Sequence, residues 1–215
     1  MVDTPNAAQE TPQDTAPNPA RDIARDMAQN TAPDPSPLRN PGKYARVERE
    51  RRWLLAAPPG PESVSVTRTV TDRYLTGTRL RLRRVELPDG ATELKLTQKI
   101  PAPEPGGGAV RGLITNTYLS RAEYDVLAGL PAAVLTKTRL GVPPMGVDVF
   151  DGRLRGLVLA EAEFGTDDEA RAYVPHLSCV AEVTDDPRFT GGSLVTTDRR
   201  ELLAWLAEFG LHPEE

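Results

Sequence analysis

From residue 44 onward the apolar residues recur at every second position, and along the first such run the charges alternate with them. In VERERRWLL (47–55) an extended chain sets Glu48, Glu50 and Arg52 on one face and Val47, Arg49, Arg51 and Trp53 on the other; a helix would spread the five consecutive charges around its girth. The same period of two continues in SVSVTRTV (63–70), TRLRLRR (78–84), TELKLTQK (92–99), LTKTRL (135–140), VDVFDG (147–152), LVLAEAEF (157–164) and VAEVT (180–184). LPDGA (87–91) carries Asp-Gly at the centre of a hairpin turn, PAPEPGGGAVRG (101–112) reads as a mobile loop, and DGRLRG (151–156) as another turn. Helical spacing is rarer. LSRAEYDVLAGLP (119–131) opens on a Ser120/Glu123 capping box and stops at Gly129. TDDEARAYVP (166–175) reads as a short helix, and TTDRRELLAWLAEFG (196–210) as a longer one capped by Asp198, with Leu202, Leu203, Leu206 and Phe209 as its apolar stripe. The pattern predicts a mainly β domain of the α+β kind, antiparallel, with about eight strands and three helices, in a barrel or a sandwich.

Residues 1–40 lack this pattern. They are rich in Pro, Ala, Asp, Thr, Asn and Gln, cannot bury enough apolar surface to offset ordering entropy, and are expected to form a disordered tail ahead of one domain at 41–215. Ile23 and Met27, four apart, are its one hint of a helical turn. The 215-residue chain has a net charge of −5, which argues against a general nucleic-acid binder, and no apolar run long enough to cross a membrane. One cysteine, Cys179, excludes an internal disulfide and fits a reducing compartment, so a cytoplasmic location is expected.

The charged faces allow two readings. In an ordinary half-buried sheet they point to water. In a closed barrel they point inward, which is costly unless a bound polyanion and divalent cations compensate them. The outward reading explains a single charged strand well and the segregation of sign less well: Glu48/Glu50 and Glu161/Glu163 are acidic pairs at i, i+2, whereas Arg81/Arg83, Lys95/Lys99 and Lys137/Arg139 mark basic strands. Carboxylates suit Mg²⁺ or Mn²⁺, and guanidinium and ammonium groups suit phosphate oxygens.

In order along residues 43–208, VERERRWLL, DRYLTGTRLRLRR, ELKLTQK, YLSRAEYDVL, LTKTRL, VDVFDGRLRGLVLAEAEF and EVTDDPRF resemble the CYTH domain, the fold of the triphosphate tunnel metalloenzymes. The resemblance implies an eight-stranded antiparallel closed β-barrel tunnel, open at both ends, with a few flanking helices. It implies hydrolysis of a small-molecule triphosphate, foremost inorganic triphosphate, with Mg²⁺ or Mn²⁺. It assigns Glu48, Glu50, Glu161, Glu163 and Glu182 to metal, Arg52, Arg81, Arg83, Lys95, Lys99, Lys137 and Arg139 to phosphate, and Glu48, Glu50, Arg52 and Tyr74 to the catalytic set. Arg52 stands where the family usually has lysine; it can bind phosphate but cannot give up a proton as a lysine with a depressed pKa can. An adenylate cyclase of the same fold and a non-catalytic polyphosphate or nucleotide binder are the rival expectations. Neither nucleic acid nor membrane is expected as a partner, and the oligomeric state is left open.

Overall fold

The computed structural model describes residues 43–102 and 108–213. The expected tail at 1–40 and the glycines at 106 and 107 lie outside the described residues. Nine strands follow one another among the described residues: β1 (Arg46–Leu55), β2 (Val66–Leu75), β3 (Leu80–Glu86), β4 (Thr92–Pro101), β5 (Val110–Tyr118), β6 (Ala132–Val142), β7 (Met145–Phe150), β8 (Val158–Glu163) and β9 (Cys179–Glu182). The sheet order is β5-β4-β3-β2-β6-β7-β8-β1-β9, and a further β5–β1 pairing joins the ends, so eight strands close into an antiparallel barrel. β1 makes closure possible by changing partners along its length. Arg46–Arg49 pair with β5, with a register shift after Glu48, and Trp53–Leu55 pair with β9. Closure leaves no exposed edge among the eight.

The sequence pattern misses β5. Its glycine-rich approach reads as a loop, yet the strand starts at Val110. Gly112 has φ of 137°, and a Cβ there would fall 2.0 Å from the Ile100 carbonyl oxygen, so glycine is what allows β5 to lie against β4. β2 also runs on to Leu75, past the expected end at 70.

Four α-helices occur among the described residues: α1 (Arg121–Ala128), α2 (Asp167–Ala172), α3 (Gly191–Leu194) and α4 (Arg199–Glu208). α1, α2 and α4 each begin with a capping box, on Ser120/Glu123, Thr166/Glu169 and Asp198/Glu201. α3 is too short to show a period and was not expected from the sequence. None of these helices is long and apolar enough to cross a membrane.

The barrel inverts the usual polarity of a sheet. Its outer face carries apolar residues that the helices and loops cover: Leu82, Leu94 and Leu96 under Tyr124 and Leu127 of α1, and Trp53, Val147, Ala160 and Ala162 under Phe164, Tyr173 and Leu177. Alternation then turns Glu48, Glu50 and Arg52 of β1, Asp72 of β2, Lys137 and Arg139 of β6, Asp148 of β7 and Glu161 of β8 inward.

One end of the interior is apolar. Leu54, Leu135, Phe150 and Leu159 lie on the same faces as these charges, further along their strands, and pack with Phe189, Leu194, Val195, Leu202 and Leu206 from the C-terminal segment. Tyr74 joins this cluster, and a Cβ at Gly191 would sit 2.0 Å from its hydroxyl, which is why α3 can approach so closely. The C-terminal segment therefore fills this end. The tunnel open at both ends, implied by the family resemblance, is here a blind lumen.

Candidate functional site

The charges on the inner face form a connected network. Arg52 Nε donates to Glu50 Oε1 at 2.7 Å and stands 3.6 Å from Glu161 Oε1, while its Nη1 donates to the Phe189 carbonyl at 3.3 Å. Arg139 donates to Glu161 Oε2 at 2.5 Å and grips both oxygens of Asp148 at 2.6 Å. Lys137 Nζ also donates to Asp148 and lies over the Phe150 ring. Arg83 makes a second bidentate pair, with Asp72, at 2.6 and 2.7 Å. Arg81 Nε lies 3.5 Å from the same aspartate, and Lys99 Nζ lies 2.7 Å from Glu48 Oε1.

Glu48, Glu50, Arg52, Tyr74, Arg81, Arg83, Lys99, Lys137, Arg139 and Glu161 are thus gathered at the inner face. Glu163, also on it, is exposed at the mouth. Lys95 shares the inner face as the register partner of Arg83, but its ammonium lies 3.2 Å from Glu93 and over the ring of Tyr118, its partner on β5. Glu182 stands apart. Its carboxylate takes a bidentate pair from Arg51, on the outward face of β1, and accepts from the Thr184 hydroxyl, because β9 adds to the outside edge of β1 instead of to the ring.

Two residues central to the network were not picked out from the sequence. Asp72 and Asp148 are both fully buried, and between them they hold four of the cations. The signal was present: each is a lone carboxylate on the inner face of a strand, flanked in VTDRYL and VDVF by residues that alternate with it. Their chemistry is to orient the bases. A buried bidentate carboxylate fixes the plane of a guanidinium and leaves its remaining N–H groups aimed at the lumen.

At two of the lumen carboxylates the neighbouring bases outweigh burial. Burial alone would raise the Asp72 carboxyl, but the hydrogen bonds and charge of Arg83, with Arg81 and Lys137 behind, bring it down to about 2. Burial would likewise raise Glu161, yet Arg139, Lys137, Arg52 and Lys99 hold it well below the ordinary carboxylate range. Lys137 moves the other way: its burial lowers the ammonium pKa, and Asp148 only partly offsets this. Burial and the Asp72 charge push Tyr74 up to about 12, so its phenol stays protonated.

Asp72 carries a pH consequence. A carboxyl whose folded pKa lies below its unfolded value of 3.8 contributes stability above that value and loses it as pH falls toward the folded value of about 2. The domain is expected to lose about 2 kcal/mol from this group between pH 4 and pH 2. Urea melts across that range check it: Asp72→Asn should flatten the decline, and an unchanged slope in that variant would refute the assignment.

The carboxylate oxygens of Glu48, Glu50 and Glu161 are hard donors of the kind Mg²⁺ and Mn²⁺ take. Each is now paired with a lumen cation, and among the described residues no three His, Cys, Asp or Glu side chains stand together as a ready cluster. The donor chemistry fits such an ion, with its binding exchanged against these ion pairs.

No family model matches the sequence. The inorganic triphosphatase of Nitrosomonas europaea is 31% identical over 163 residues, which span 69% of this chain and 96% of that protein. A solved structure of a hypothetical protein matches at 27% identity over 70% of this chain and 99% of its own, with a TM-score of 0.46. A solved inorganic triphosphatase matches at 24% identity over 71% and 96%, with the same TM-score of 0.46.

Proposed function

The chain belongs to the family of the Nitrosomonas inorganic triphosphatase, and we propose on that premise that it hydrolyses inorganic triphosphate inside its charged lumen. The ordered motifs and the closed barrel support reading that family as the CYTH, or triphosphate tunnel, fold. The observation that carries the proposal is the convergence of six bases, Arg52, Arg81, Arg83, Lys99, Lys137 and Arg139, on one enclosed space. Donors are left over for a polyanion: the buried Arg81 Nε has no hydrogen-bond acceptor, and the Lys99 side chain is 40% exposed.

In this reading Arg52, Arg81, Arg83, Lys99, Lys137 and Arg139 bind the phosphoryl oxygens. They hold the terminal phosphorus so that water meets it in line with the bridging oxygen it will lose. The P–O–P bond breaks, diphosphate leaves, and orthophosphate forms with the oxygen of water. Glu48, Glu50, Glu161 and Glu163 would hold Mg²⁺ or Mn²⁺, which supplies neutralisation of phosphate charge when bound. The transition state is loose, so no strong base is required. That suits a lumen where Arg52 and the Tyr74 phenol both keep their protons. Arg52 also ties Glu50 to the Phe189 carbonyl, so the residue that departs from the family lysine links the charged lumen to its blind end.

A phosphate-release screen tests the proposal. Inorganic triphosphate, longer polyphosphates, ATP, GTP and thiamine triphosphate are each supplied with Mg²⁺ and with Mn²⁺. Fastest release from inorganic triphosphate is expected. Diphosphate release from ATP would replace this reading with a cyclase, and tight binding with no turnover on any substrate would replace it with a binding protein.

A further inference from the structure

Arg68 is a base that the charge network leaves over. It lies on the inner face of β2, two residues before Val70 and four before Asp72, and its register partner on β6 is Arg139. Two guanidinium groups directly opposite on one face repel each other. Arg139 is neutralised by Asp148 and Glu161, whereas Arg68 has no hydrogen bond or ion pair with any described residue.

The two arginines line a cavity of about 420 Å³ at the mouth of the lumen, with Glu161 and Glu163 also on its wall. Gly146 leaves room in it, whereas a Cβ on Gly141 would fall 2.8 Å from Val66 Cγ1 and 3.0 Å from Ser65 Oγ, so the wall there is closely packed. Gly141 and Gly146 are register partners on β6 and β7 and share the inner face, one lumen-facing position beyond Arg139 and Asp148 respectively. A Cβ on Gly146 would meet nothing nearer than the Arg139 side chain at 3.6 Å, so the space beside that guanidinium is open. Along β6 the next inward-facing base is Lys137, two residues deeper, about 6.6 Å by strand rise. Arg68 and Arg139 therefore form a rank of positive charge nearer to solvent than Lys137, with room in front of it.

We infer that Arg68, with Arg139, forms an outer phosphate subsite at the mouth, which holds the phosphoryl group farthest from the blind end. This rests on the triphosphatase reading and adds a determinant of substrate length to it. Lys137, Arg83 and Arg52 hold the inner phosphoryl groups, and a two-phosphate ligand satisfied by them does not reach Arg68. Arg68 thus separates triphosphate from diphosphate.

Calorimetric binding of inorganic triphosphate and of diphosphate in EDTA, at fixed ionic strength, tests this without depending on turnover. For Arg68→Ala the triphosphate affinity should fall about 10- to 100-fold and the diphosphate affinity by less than about twofold, with Arg68→Lys recovering part of the loss. Equal weakening of both ligands would reduce Arg68 to a general contributor to the field and overturn the inference, as would no change in either. If Arg68→Ala does not fold, Arg68→Gln, which keeps most of the side-chain volume, is held to the same two criteria. A parent protein that binds neither ligand in EDTA and releases no phosphate with metal would instead remove the triphosphatase reading, and this inference with it.

Discussion

Glu48→Gln combined with Glu50→Gln is expected to lower metal-dependent phosphate release from inorganic triphosphate by about 1,000-fold or more, which corresponds to about 4 kcal/mol of transition-state stabilisation. Glutamine keeps the shape and one oxygen of each side chain but removes the negative charge that draws a hard cation. The fold should survive. Arg52 retains its contacts with Glu161 and with the Phe189 carbonyl, and Lys99 is half-exposed and can turn to water. Binding should move in the opposite direction from turnover. With two carboxylates gone, the remaining bases face the polyanion with less competition, so triphosphate affinity measured in EDTA should hold or rise. Turnover kinetics beside calorimetry read both quantities. Near-normal turnover would refute the role of the acidic pair, and a matched collapse of turnover and affinity would show that the pair shapes the binding site instead.

The second large effect concerns stability. Asp148→Asn should destabilise the domain by about 3–5 kcal/mol, the usual cost of removing one partner from a buried ion pair. Asp148 has no exposed surface; among the described residues it is the one carboxylate in an ion pair with Lys137, and it shares Arg139 with Glu161. Its loss leaves two cations confined near Arg83, with Lys137 already disfavoured in its charged form by burial. Urea denaturation measures the loss. Saturating triphosphate should restore more stability to the variant than it adds to the parent, because the ligand supplies the missing negative charge. A loss under about 1 kcal/mol would mean that the lumen tolerates its bases unpaired, contrary to the ordinary cost of breaking a buried pair.

The parts of the barrel that were legible in the sequence are those where the period of two is strict. Glu48, Glu50 and Arg52 alternate with Arg49, Arg51 and Trp53, and the two sets do face opposite sides of β1. The inverted polarity was harder to read, because a charged face next to water and a charged face next to a ligand share one pattern. β5 was lost because Gly112, which its contact with β4 requires, is also a loop residue by composition. Asp72 and Asp148 were passed over for a different reason. Single carboxylates lack the i, i+2 repetition that drew attention to the glutamates, and only the register shows that Arg83 is opposite Asp72 and Arg139 opposite Asp148. Glu182 shows the converse. It alternates as an inner residue would, but its strand joins outside the ring, which depends on where β1 exchanges β5 for β9.

The apolar stopper formed by Phe189 and its neighbours turns the lumen into a cul-de-sac, and traffic through it becomes a matter of queueing. On the proposed reaction, diphosphate and orthophosphate must back out past the same rim by which the next substrate arrives. The bases that seat the reactant also hold its fragments. Such a catalyst is throttled by its own waste, and the rate of emptying, more than the bond-breaking event, then governs how fast it cycles when product accumulates.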